Sequence, residues 1–80
     1  MASDYQWEKQ YTEDPERSQI WKNIKARKTV IVAKPYNEDP YKFWVTSDDD
    51  LTKHLHDKNF NSMNKAVQYA ESWMRSHPRG

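Results

Sequence analysis

Leu, Ile, Val and Phe fill only 11 of the 80 positions of this chain, below the ~20% at which a highly charged sequence fails to fold. Charge does not add to the handicap, because 13 Lys and Arg against 12 Asp and Glu leave a net charge of +1. Aromatic side chains make up the missing apolar area: there are four Trp and five Tyr, each able to bury ~150 to 250 Å² while keeping a polar edge for water or a partner. The sequence therefore predicts one small domain over residues 1–80, with frayed ends at 1–4 and 77–80, folded around rings. A domain this size buries only ~60 to 65% of its unfolded surface, so some rings must stay partly exposed, and function is sought there.

Several function classes drop out at once. The chain has no Cys, which removes disulfide frameworks, cysteine zinc sites and thiol nucleophiles. Gly80 is the only glycine, so no glycine-rich loop can cradle a nucleotide phosphate. No apolar run approaches the ~20 residues of a membrane span, and Met1 to Gln10 lacks the basic and apolar blocks of a signal peptide. The expectation is a cytoplasmic protein without membrane association.

Apolar spacing orders the elements. Tyr5, Trp7 and Tyr11 alternate with Gln6, Glu8 and Gln10, the period of a half-buried strand. Asp14-Pro15 opens either a turn or a short helix through Ile20, Trp21 and Ile24. A strand over Gln19–Ile24 is preferred, since the β-branched run Val30-Ile31-Val32-Ala33 needs a pairing partner and Lys25-Ala26-Arg27 is a short connection. Pro35 to Pro40 reads as a loop, and Tyr41 to Thr46 as a strand with Phe43 and Val45 on one face and Trp44 on the other. Ser47 to Asn59 is polar, with only Leu51 and Leu55 to anchor it, and reads as a long excursion or a weak short strand. From Ser62 the period changes: Met63, Ala66, Val67, Ala70 and Met74 predict a helix, with Asn61 or Ser62 as N-cap, Pro78 as stop and Phe60 packing at its entry. The fold class expected is α+β, a small antiparallel sheet of three or four strands with the C-terminal helix on one face, a two-layer sandwich. Tyr11-Thr12-Glu13-Asp14-Pro15 recurs as Tyr36-Asn37-Glu38-Asp39-Pro40, which is read as repeated turn chemistry.

Charge falls in blocks: −3 over residues 1–17, +5 over 18–36, −4 over 37–57 and +3 over 58–80. The second block holds Lys22, Lys25, Arg27, Lys28 and Lys34 without an acid, beside Trp21 and Tyr36. Cations interleaved with rings suit nucleic acid, the cations meeting phosphates and the rings stacking on unpaired bases. Trp21, Lys22, Lys25, Arg27, Lys28 and Lys34 are therefore the candidate nucleic-acid residues. Solvated lysines protecting a hairpin edge, with Trp21 in the core, are the structural alternative. Trp44 with Tyr41 is the candidate protein-docking or homodimer surface, since Trp and Tyr dominate interface hot spots.

Catalytic signals are weak. His54 and His56, with Asp57 and Asp48 to Asp50 nearby, carry metal-ligand chemistry, but the spacing matches no zinc motif and they are read as solvated. No serine sits in a nucleophile elbow, and a chain this short has little room for a cleft between paired acids. The sequence thus predicts a non-enzymatic binding module without cofactor or metal, whose partner is a nucleic acid or, alternatively, a protein or a second copy.

Overall fold

The computed structural model describes residues 5–34, 41–47 and 50–80, the backbone alone for 50–54 and 56. Its elements are β1 (Glu8–Lys9), β2 (Ser18–Asn23), β3 (Lys28–Ala33), β4 (Tyr41–Ser47), β5 (Asp50–Phe60) and α1 (Met63–Ser76). All five strands form one antiparallel sheet in the order β1-β2-β3-β4-β5. The α+β class and the helix packed on the sheet stand, with five strands in place of three or four.

The fifth strand, β5, lies at one edge of the sheet and β1 at the other. β5 takes up the polar stretch after Ser47, because an edge strand draws its ladder from one neighbour and can leave its side chains in water. Its pairing with β4 is irregular between Val45 and Ser47, and Leu55, beside that irregularity, is exposed. β1 is shorter than the alternation of Tyr5 to Tyr11 implied: only Glu8 and Lys9 pair, with Lys22 and Trp21. Trp7 is buried while Tyr11 is 88% exposed.

Asp14-Pro15 opens a single turn, with the amides of Arg17 and Ser18 both donating to the Asp14 carbonyl, and the chain then enters β2 as a strand. The register of Ile20 on Ile31 and Trp21 on Val30 explains the choice. In a sheet each β-branched residue gains a cross-strand neighbour, which a short isolated helix would not supply. The expected loop over residues 35–40, including the repeated turn, lies outside the described residues, as do Asp48 and Asp49.

Residues directly opposite in an antiparallel pair share a face. Trp21, Val30 and Val45 form one buried row and Val32 with Phe43 the next. α1 lies across them, presenting Ala66, Ala70 and Met74, all fully buried. Two alanines on that stripe let helix and sheet approach closely. Rings fill the remaining space: Phe43 meets Tyr69 edge-on at 5.0 Å, Trp7 meets Trp73 at 5.8 Å, and Phe60 packs on Tyr69 at 5.2 Å. Ser62 caps the helix, its Oγ accepting from the Lys65 amide at 3.2 Å. Arg75 in the last turn suits the negative end of the helix dipole. No helix among the described residues is long and apolar enough to cross a membrane.

The segment after α1 is tied down. The His77 carbonyl accepts from the Trp7 indole at 2.7 Å, and the Pro78 carbonyl accepts from the Gln6 amide at 2.8 Å. The first described residues therefore run along the end of the helix and clasp it against the sheet edge.

Candidate nucleic-acid interface

The β2–β3 hairpin is built by its own turn residues. Asn23 ends β2 with its side chain turned back, Oδ1 accepting from the Ala26 amide at 2.9 Å, a local bond that stabilises a tight turn. The chain closes through Arg27, whose φ of 57° is in the left-handed region, and whose amide donates to the Ile24 carbonyl at 3.3 Å. A non-glycine residue there costs of order 1 kcal/mol or more and persists because the surrounding bonds enforce it. The geometry projects Ile24, Lys25 and Arg27 from the sheet, all exposed.

The six candidate nucleic-acid residues do not form one patch. Lys22, Lys25 and Arg27 are exposed and gather at the hairpin end. Lys28 is half-buried at the same end, its Nζ donating to the Gly80 backbone oxygen at 2.6 Å. Lys34 lies at the far end of β3, its Nζ 5.4 Å over the Tyr41 ring. Trp21 is 5% exposed within the core, on the helix side, beneath the Lys9 ammonium at 5.8 Å. It offers no face for a base to stack on. The interleaving of cations with rings has an internal use here: Lys9, Lys34 and Lys58 hold their ammonium groups over the rings of Trp21, Tyr41 and Tyr69, within reach of cation–π attraction.

Tyr41 and Trp44 also separate. Tyr41 is opposite Phe60 and packs against the core cluster, whereas Trp44 is opposite Ile31 and Asp57 on the other face. That second face carries Ile20, Ile31 and Trp44 in one row across three strands, each half-buried. Lys22 and Lys42 flank the row against Glu8 and Asp57, so the two signs balance there among the described residues. Thr29 and Thr46 pair on this face and are buried.

Comparison with protein-family models, curated proteins and solved structures yields no match. A hollow of about 350 Å³ opens beside the hairpin, lined by Tyr5, Gln6, Glu8, Ile24 and Lys25. Sequence reasoning missed it because its walls come from segments about twenty residues apart, although Tyr5 and Ile24, both exposed large hydrophobics, are each visible as rings or aliphatics at element ends. Burial raises the Tyr5 phenol above its ordinary value, with Glu71 adding to the rise and Arg75 opposing it. The side chains of His54 and His56 lie outside the described residues. Among those described, no three His, Asp or Glu gather as metal ligands would.

Proposed function

We propose that this domain is a non-enzymatic binding module whose β2–β3 hairpin engages the phosphate backbone of a nucleic acid. The observation that carries the reading is the exposure of Lys22, Lys25 and Arg27 together at one end of the sheet, in a stretch of chain without an acid. Phosphate contacts of this kind position a backbone without reading sequence. Base stacking is dropped from the reading, since Trp21 is enclosed.

Titration of the labelled protein with short single-stranded and duplex oligonucleotides at two salt concentrations tests it. Saturable resonance shifts at Lys22, Lys25 and Arg27 are expected. Three contacts at ~0.7 counterions each give a logarithmic salt slope of about −2 on a single strand. Absence of shifts at low salt would end the proposal.

The in-register row of Ile20, Ile31 and Trp44 supports a second reading, docking of a protein on the face opposite α1. Large apolar side chains with charges of both signs around them are the make-up of a protein interface. Affinity would then depend on salt only mildly, and charge reversal at Arg27 would leave it unchanged.

A further inference from the structure

Trp21 is enclosed, but a ring from outside the hairpin shares a hollow with its tip. Tyr5, 40% exposed, and Ile24, 71% exposed, stand in the wall of the hollow of about 350 Å³ together with Gln6, Glu8 and Lys25. Both sides are fixed by bonds of their own. On one, the Gln6 amide donates to the Pro78 carbonyl at 2.8 Å and the Tyr5 hydroxyl reaches the Met74 Sδ at 4.0 Å. On the other, the Ile24 carbonyl accepts from the Arg27 amide at 3.3 Å and Asn23 Oδ1 accepts from the Ala26 amide at 2.9 Å. A site already held in shape loses little further freedom when a ligand enters.

An aromatic ring and a branched aliphatic offer what a planar heterocycle packs against. Glu8 supplies an acceptor and Gln6 both a donor and an acceptor, the groups that read the edge of a base. The volume is near the lower end of the ~300 to 1,000 Å³ of small-molecule sites, suited to one nucleoside rather than to a stretch of peptide. Lys25 belongs both to the hollow and to the exposed cations of the hairpin end, beside Lys22, so a base in the hollow leaves its phosphate next to those cations. We infer that the hollow seats one unpaired base of a single strand against Tyr5 and Ile24, and that Glu8 favours bases carrying an exocyclic amino group. A paired base cannot enter, because the duplex holds it in the stack. Cytosine presents its N4 amino donor to a carboxylate, where thymine presents the O4 acceptor that a carboxylate repels. The inference rests on the phosphate-binding reading for the delivery of the strand, and on the lining of the hollow for the base.

The test titrates the full-length labelled protein with deoxycytidine, deoxythymidine and abasic strands of equal length, following the Tyr5 ring, the Ile24 methyls and Lys25. The deoxycytidine strand should bind roughly tenfold more tightly than the abasic one and several-fold more tightly than the deoxythymidine one. Ile24→Ser, a change at an exposed side chain outside the core, should bring the deoxycytidine strand toward the abasic affinity. Tyr5→Ala should do the same and Tyr5→Phe, which keeps the ring, should not. Glu8→Gln should bring the two pyrimidines together. Equal affinity for all three strands, or shifts at Lys22 and Lys25 that bypass Tyr5 and Ile24, would overturn the inference and keep the phosphate-binding reading. Cytidine that shifts Tyr5 and Ile24 without any strand binding upholds the hollow and removes that reading. No response to either strands or cytidine removes both.

Discussion

Replacing Trp7 by Phe tests the clasp that joins the first described segment to the end of α1. The ring of Trp7 is 5% exposed, meets Trp73 edge-on at 5.8 Å and donates its indole N–H to the His77 carbonyl at 2.7 Å. Phe keeps an aromatic edge against Trp73 but removes the donor, a net loss of ~1 kcal/mol for a hydrogen bond of this kind. The smaller ring leaves roughly 40 Å³ unfilled, and at ~24 cal/mol per Å³ that adds about 1 kcal/mol. The sum, ~2 kcal/mol, is a large share of the ~4 to 12 kcal/mol expected for a domain of this length. At ~4 to 8 °C per kcal/mol the midpoint should fall by roughly 8 to 16 °C. Thermal and urea unfolding followed by far-ultraviolet circular dichroism would measure it, with the urea slope unchanged if the fold is retained. A loss under ~0.5 kcal/mol would refute the reasoning, since it would mean that the indole is neither packed nor bonded as described.

Phe43, fully buried between Tyr69 and Trp73, should cost ~3 to 5 kcal/mol when cut to Ala, enough to populate the unfolded state in equilibrium denaturation. Lys22→Glu should weaken oligonucleotide binding several-fold in a low-salt titration while Lys34→Glu, at the opposite end of the hairpin and over Tyr41, should not; equal effects would disperse the proposed site. The raised Tyr5 phenol means that the folded state holds its proton more tightly than the unfolded state. Its stabilising contribution is complete below the ordinary phenol value of ~10 and is lost as pH rises through the folded value. Unfolding midpoints measured between neutral and strongly alkaline pH should therefore fall less steeply in Tyr5→Phe.

How much of this was legible in the chain depended on whether burial is one-sided. α1 was readable to within a residue or two because Met63, Ala66, Val67, Ala70 and Met74 must all point one way. β3 and β4 were readable because Val30, Val32, Phe43 and Val45 alternate with residues that face the other side. β5 was legible only as one of two alternatives, and as a short strand rather than eleven residues, since an edge strand takes its order from the backbone of β4 and leaves little trace in side-chain chemistry. Trp21 shows the same limit at the site. Its neighbours in sequence are cations, but its neighbour in the sheet is Val30, and the row it belongs to is the core. Lys28 and Gly80 meet across 52 positions, a separation that no spacing rule can bridge.

The strand order β1-β2-β3-β4-β5 sets a folding schedule. Every strand pairs with its nearest neighbour along the chain, so each hairpin closes a short loop at small entropic cost, and topology of this kind favours folding on the order of milliseconds. The clasp is the exception, with Trp7 and His77 separated by 70 residues. Its contacts form late and open early, by sub-global unfolding that leaves the central strands paired. In native-state hydrogen exchange the amides of Gln6, His77 and Gly80 should exchange first, and those of Val30 and Val32 only with global unfolding.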